Sequence, residues 1–410
     1  MRRSFIPWLS VIATSAVLTA CADSTATAPR SLSRPGAGSA AADVAFSSIW
    51  ADQFEGTTAN GALYALFKPV NWNGDVIYYA HGIIDPASPI ALPTGDDAGA
   101  IRDALGQQGF AIAYSSFSEN GYDFQDGLQR THQLRGLFTS RYGKPKRNFL
   151  FGQSLGAQIV EALAETHPEQ YDGVAAVCGV LGGTKRQLDQ VGHIRTMFDL
   201  LYPNWLPGTT TDHVPVVPSQ AEVINAASIA LASDGGQKFG IMTRIDQTPL
   251  AGTNAQQMLQ SLMTALVYHA RGVNDLIDRA HGNMPFDNAK TEYTATLPLP
   301  PGTLPFINET IARYTATPSA MAWLEGNYEP TGELRIPMLT LHNRFDPLVP
   351  FSHEAAYAAK TSAAGFGGNL VQRSVNNYGH CNFGAGSAAT TAATVQDLVN
   401  WVTTGTPATP

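Results

Sequence analysis

The chain has 410 residues, of which 14% are charged and 44% apolar, with 38 glycines and 26 prolines. That balance excludes a coiled coil or a disordered chain and suits an exported globular protein with long loops, large enough for one domain with an insertion or for two domains. A formal charge of −8, with no Lys/Arg run beyond the N-terminus, offers no basic face and argues against nucleic acid as a partner.

The first residues read as a targeting segment. Arg2 and Arg3 form a positive region, and "FIPWLSVIATSAVLTA" (5–20) is an apolar stretch of signal-peptide length, too short and too interrupted for a comfortable membrane span. It ends in "LTAC", similar to a bacterial lipobox, so residues 1–20 are expected to be cleaved and Cys21 to carry the lipid. "RRSFI" resembles the core of a twin-arginine signal as much as a plain secretory one, so the export route stays open. Residues 21–42 are rich in Ala, Ser, Thr, Pro and Gly without apolar periodicity, as a tether between membrane and domain would be. The expected location is the bacterial cell envelope, with the fold beginning near Asp43.

From Ala59 short apolar runs alternate with helical patterns, the signature of a parallel sheet covered by helices. "GALYALFKP", "VIYYA", "FAIAYSS", "RNFLFG" and "DGVAAVCG" read as strands. Between them "DDAGAIRDALGQQG", "DGLQRTHQLRGLFTSRYG" and "SLGAQIVEALAETHP" read as helices. In the second of these, Leu128, Leu134, Leu137 and Phe138 fall roughly on one side. The rhythm breaks over 182–330, where helical patterns run without convincing strands. The clearest is "NAQQMLQSLMTALVYHARG", with Leu259, Leu262, Met263, Leu266, Val267 and Ala270 on one stripe. "ETIARYTATPSAMAWLEG" is another, interrupted by Pro318. Strand "IPMLTLHN", helix "SHEAAYAAK", strand "LVQRSVNN" and helix "TVQDLVNWVTTG" then resume the alternation. The expected organisation is a core over 43–181 and 331–410 with a helical insertion over 182–330.

One pentapeptide carries chemistry. "GQSLG" (152–156) fits G-x-S-x-G, in which a sharp strand-to-helix turn presents a serine above the sheet while two glycines let strand and helix approach. Alone the match is weak, and Ser154 could equally N-cap the following helix. A nucleophilic serine also needs a base and a carboxylate that fixes the base's tautomer. "TLHNRFDPLVP" puts Asp346 just beyond one strand, and "NNYGHCNF" puts His380 just beyond the next, at the strand ends where open α/β sheets bind ligands. His342 falls inside a strand and reads as packed; His353 begins a helix. His132, His167, His193, His213 and His269 have no acid at a comparable strand end. "HEAAY" has Tyr357 where a zinc helix needs histidine, so no metal and no cofactor is expected. Oxyanion donors are expected from the Leu155 N–H, at a helix N-terminus, and from Ile83, where Gly82 lets the backbone turn inward; each is worth about 3 kcal/mol. His81 is expected to shape that loop rather than transfer protons.

"AHG" (80–82), "GQSLG" (152–156), "RFDPLVP" (344–350) and "YGHC" (378–381), in this order on these elements, resemble the α/β-hydrolase superfamily over about Ala59–Gly405 with the insertion set aside. The resemblance implies a mostly parallel, doubly wound sheet with a helical cap formed by 182–330. It also implies Ser154 as nucleophile, His380 as base and then acid, and Asp346 as orienting carboxylate. Cys178 and Cys381 should lie near the same sheet edge, either bridged or as two buried thiols. Tannase- and feruloyl-esterase-like hydrolases are similar in bonding a cysteine after the histidine to one before the serine, but Gln153 stands at that preceding position here. The expected activity is cofactor-free hydrolysis of a small-molecule carboxylic ester. A peptidase or amidase on the same triad is the alternative, and a non-catalytic binding protein on the same scaffold a third. Trp205, Tyr202, Trp323 and Phe306 in the cap are expected to pack the cap rather than line an acyl pocket.

Overall fold

A computed structural model describes residues 49–93 and 96–410. The signal peptide over 1–20, the acylation of Cys21, the tether over 21–42 and the start of the fold at Asp43 lie outside the described residues. No helix among the described residues is long and apolar enough to cross a membrane.

Eight strands form one sheet in the order β1-β2-β4-β3-β5-β6-β7-β8. They are β1 (Trp50–Thr57), β2 (Leu63–Pro69), β3 (Asp75–Ala80), β4 (Ala111–Ser115), β5 (Arg147–Gln153), β6 (Gly173–Val177), β7 (Met338–Phe345) and β8 (Leu370–Tyr378). β1 and β2 pair antiparallel, as do β2 and β4; every pair from β4 through β3 to β8 is parallel. The inner strands β3, β4 and β6 are buried along their whole length, which is why they read as unbroken apolar runs.

Helices cover both faces. α1 (Asp96–Gln107) precedes β4, α2 (Phe124–Tyr142) precedes β5, and α3 (Leu155–Thr166) follows it. Along β3, Val76, Tyr78 and Ala80 join Phe124, Leu134, Phe138, Ile159 and Leu163 of α2 and α3 in one core. Ile77 and Tyr79 join Ile101, Leu105, Val395, Leu398 and Trp401 in the other. Six helices separate β6 from β7 among the described residues: α4 (Thr184–Leu201), α5 (Gln220–Ala232), α6 (Gln237–Met242), α7 (Ala255–Arg279), α8 (Thr303–Thr310) and α9 (Pro318–Gly326). α10 (Ser352–Ala363) and α11 (Ser387–Thr404) follow β7 and β8. This mostly parallel sheet, wound on both faces and interrupted by a helical insertion, is the α/β-hydrolase fold.

The inserted helices share an apolar core of their own, including Phe198, Tyr202, Leu262, Leu266 and Ile307. α7 also ties the insertion to the sheet. Asp275 accepts the Tyr122 N–H at 2.8 Å, Arg279 donates to the Asn120 carbonyl at 2.8 Å, and Arg271 pairs with Asp85. Those three residues sit on the loops that follow β3 and β4.

The structure departs from the sequence expectations in four places. β1 is an edge strand carrying Asp52, Gln53 and Glu55, so it has no apolar alternation to find. α7 continues through Gly272 to Arg279, because Val273, Leu276 and Ile277 extend its buried stripe. The helix expected across Pro318 is two helices. Pro318 disfavours helical backbone before it and serves as the first residue of α9, with the Thr317 hydroxyl accepting the Ala320 N–H. Of the four cap aromatics, Tyr202 is buried and Trp323 packs edge-on against Tyr122, but Trp205 and Phe306 are exposed, 38% and 53%.

Candidate functional site

The parallel register brings five loops to one edge. Ala80 pairs with Gly152, Gln153 with Val177, and Val177 with Leu341, while Phe345 pairs with Tyr378. The segments that follow β3, β5, β6, β7 and β8 therefore emerge side by side, and they carry Gly82, Ser154, Cys178, Asp346 and His380.

Ser154 occupies the turn between β5 and α3 with φ 56° and ψ −121°, a left-handed backbone that non-glycine residues rarely adopt. Close packing enforces it. A Cβ on Gly152 would lie 2.2 Å from the Gly156 carbonyl oxygen, and one on Gly156 would lie 2.0 Å from the Ala80 carbonyl oxygen. The Ser154 N–H donates to the Val177 carbonyl at 3.0 Å. Its side chain makes no cap bond to α3, so the helix-cap alternative fails.

The hydroxyl points to His380 instead. Ser154 Oγ lies 2.9 Å from His380 Nε2, and His380 Nδ1 lies 2.8 Å from Asp346 Oδ2. Asp346 is buried, and its other oxygen accepts the N–H groups of Leu348 and Val349, both at 2.9 Å. Burial alone would raise the carboxyl's pKa; the adjoining His380 and His342 rings outweigh it and hold the group well below the usual carboxylate range. An ionised Asp346 fixes the proton of His380 on Nδ1 and leaves Nε2 to accept from Ser154. Chemically, the arrangement can take the serine's proton and return it to a leaving group.

Gly82 lies against Ser154. A Cβ there would sit 3.1 Å from Ser154 Cβ and 3.6 Å from its Oγ. His81 is buried, stacks on Phe117 with ring centroids 3.9 Å apart, and donates from Nδ1 to the Gly82 carbonyl at 2.6 Å. Burial is the largest influence on this ring and lowers its pKa, so it stays neutral. Because the Gly82–Ile83 peptide is planar and trans, its N–H points opposite to the carbonyl that His81 holds. His81 thereby sets the direction of the Ile83 N–H. Leu155 is buried at the first position of α3, next to the serine.

Cys178 and Cys381 are joined by a disulfide, with Cα atoms 5.2 Å apart. It links the end of β6 to the residue after His380. The two sulfurs and a His380 ring nitrogen lie within 4.8 Å of one another, but sulfurs bonded to each other present no thiolate for a metal.

Three contributors carried no recognised sequence signal. Asn343, fully buried, donates to the carbonyls of Gly379 and Asn382, both at 2.7 Å, and so holds the turn bearing His380. Tyr79 donates its hydroxyl to Gln153 at 2.9 Å, beside the serine. Glu354, on α10, lies 3.1 Å from His342. Each acts through a partner distant in sequence, which no local motif encodes.

No family model matches the chain. A curated relative, the o-phthalyl amidase of Xanthobacter agilis, is 26% identical over 125 residues, covering 30% of this chain and 26% of the relative. The chain thus matches about a quarter of that relative's length. Among solved structures, an esterase of Pyrococcus furiosus is 10% identical with a TM-score of 0.46, over 91% of this chain and 97% of the other. Candida antarctica lipase A is 15% identical with a TM-score of 0.44, over 87% and 77%. Feruloyl esterase B of Aspergillus oryzae is 16% identical with a TM-score of 0.46, over 87% and 80%. The likenesses to these solved structures carry no argument about activity, and the fold stands on the sheet order and register above.

Proposed function

We propose that the chain is a serine hydrolase of the bacterial cell envelope, held by a lipid on Cys21, that cleaves small-molecule carboxylic esters without a cofactor. The observation that supports the reaction best is the pair of contacts at His380, 2.9 Å to Ser154 Oγ and 2.8 Å to Asp346.

Ser154 attacks the ester carbonyl as His380 Nε2 takes its proton, and Asp346 balances the imidazolium that forms. The carbonyl oxygen becomes an oxyanion, met by the N–H groups of Leu155 and Ile83. Collapse expels the alkoxide, which receives the proton from His380 and leaves an acyl group on Ser154. Water, deprotonated by the same nitrogen, then attacks the acyl carbonyl and releases the acid and free Ser154. In this reading the inserted helices 182–330 act as the cap over the site.

Amide cleavage on the same triad is the second reading, favoured by the partial likeness to an amidase. Its leaving amine needs the proton that His380 carries.

A fluorophosphonate probe is expected to label the wild-type protein and not Ser154→Ala. Persistent labelling of the folded variant would overturn the assignment. Comparing kcat/KM for p-nitrophenyl esters and for aminoacyl anilides separates the two readings; preference for anilides selects the amidase. Metabolic labelling with a clickable fatty acid, lost in Cys21→Ala, tests the anchor.

A further inference from the structure

Behind Asp346 lies a second histidine with an unusual set of partners. His342 is fully buried on β7. Its Nδ1 is 3.1 Å from Glu354 Oε1, and its Nε2 is 3.0 Å from the Val349 carbonyl and 3.4 Å from Asp346 Oδ2. A backbone carbonyl only accepts, so Nε2 must carry a hydrogen. Glu354 also accepts on its other oxygen, from the Thr340 hydroxyl and the Gln372 amide, bonds that favour a carboxylate facing Nδ1. Nδ1 then donates as well. Both ring nitrogens face acceptors, and only an imidazolium has two N–H groups.

We propose that His342 is a permanently charged positioning residue, a buried imidazolium between Glu354 and Asp346 that sets the orientation and charge Asp346 presents to His380. The inference rests on the hydrolase reading of Ser154, His380 and Asp346.

The titratable groups around the ring come from the elements packed against it: Asp346 after β7 and Glu354 and His353 on α10, with His380 after β8 reached through Asp346. His353 accepts the Gly182 N–H on Nδ1 at 2.9 Å, so that nitrogen bears no proton. Burial first, then the charges of His342 and Arg186, push its pKa down to about 3. For His342, burial would lower the pKa, but the carboxylates of Asp346 and Glu354 carry it up to about 10. Glu354, His342 and Asp346 together carry one negative charge. When His380 takes the serine's proton, that charge is neutralised in place. Without the His342 cation the cluster would carry two negative charges. His380 would then hold its proton too tightly to start the reaction or to release it to the leaving group.

Two measurements on the full chain test this. Long-range proton–nitrogen correlation spectra of histidine-labelled wild type are expected to show both His342 nitrogens protonated through neutral pH. A neutral His342 tautomer there would overturn the proposal. In His342→Gln the acid limb of kcat/KM against pH is expected to move up by roughly one pH unit, because removing a nearby cation favours protonated His380. Glu354→Gln should shift it less, in the same direction, with loss of the Nδ1 proton from His342. If either folded variant loses turnover while the limb stays in place, His342 is packing alone and the proposal fails. Wild type that carries the imidazolium signal but resists fluorophosphonate labelling would instead sink the hydrolase reading.

Discussion

Asn343 donates its side-chain amide to the Gly379 carbonyl at 2.7 Å, so β7, the strand that leads to Asp346, also grips the turn that carries His380. A second bond to the Asn382 carbonyl, also 2.7 Å, closes the clasp on the far side of the histidine. Asp346 and His380 are thereby tied together by one buried amide. Asn343→Ala is expected to lower kcat about 100-fold with little change in KM, because a displacement of the order of 1 Å suffices for such a loss. Steady-state kinetics on a variant of unchanged circular dichroism check this; wild-type kcat would show that the disulfide alone holds the turn.

The turn at Ser154 depends on Gly156 having no side chain. Gly156→Ala would drive a Cβ to 2.0 Å from the Ala80 carbonyl oxygen, which is backbone and cannot step aside. A cost of at least about 1–3 kcal/mol and loss of serine labelling are expected. Gly136→Ala in α2, where nothing lies within 4 Å, is the matched control and should gain about 0.5–1 kcal/mol. Chemical denaturation of both variants decides it, and equal stability would refute the packing argument.

Cys178→Ser with Cys381→Ser removes a link across 203 residues. The double variant is expected to lose about 2–4 kcal/mol, mostly by freeing the unfolded chain. It should also lower kcat, since the bond adjoins His380. Thiol titration of the unfolded, unreduced wild type provides an independent check: two or more reactive thiols would rule the bridge out.

Glu161 on α3 is fully buried and neither carboxylate oxygen has a hydrogen-bond partner among the described residues. Burial, above all, raises its pKa well above the ordinary carboxylate value. A raised acid binds more protons folded than unfolded, so its contribution to stability falls as pH rises above the unfolded value. Glu161→Gln should therefore gain on wild type by up to about 1.4 kcal/mol per pH unit, from about pH 4.5 up to the folded pKa. Melting curves from pH 4 to 8 measure the difference; a pH-independent gap would contradict it.

The candidate site was legible where chemistry is local. The G-x-S-x-G turn demands two glycines and a serine in sequence, and Asp346 and His380 each follow a strand whose apolar run is plain. Tertiary partners were not legible. Asn343 looks like one more polar residue at a strand end, and His342 like an ordinary core histidine. Their importance lies in Gly379, Asn382 and Glu354, which the chain brings back from 12 to 39 positions away. β1 escaped for the opposite reason, because an edge strand needs no apolar alternation.

By itself, the sequence determined the alternation of strands and helices, the order serine, acid, histidine, and the placing of each at a strand end, since these follow from apolar periodicity and turn chemistry along a continuous segment. Only the tertiary structure decided whether Ser154 caps a helix or meets His380, whether Cys178 and Cys381 bond, and what stands behind Asp346. Those outcomes depend on distances between strands that are neighbours in the sheet and remote in the chain, and a hydrogen bond forms or fails within a few tenths of an ångström.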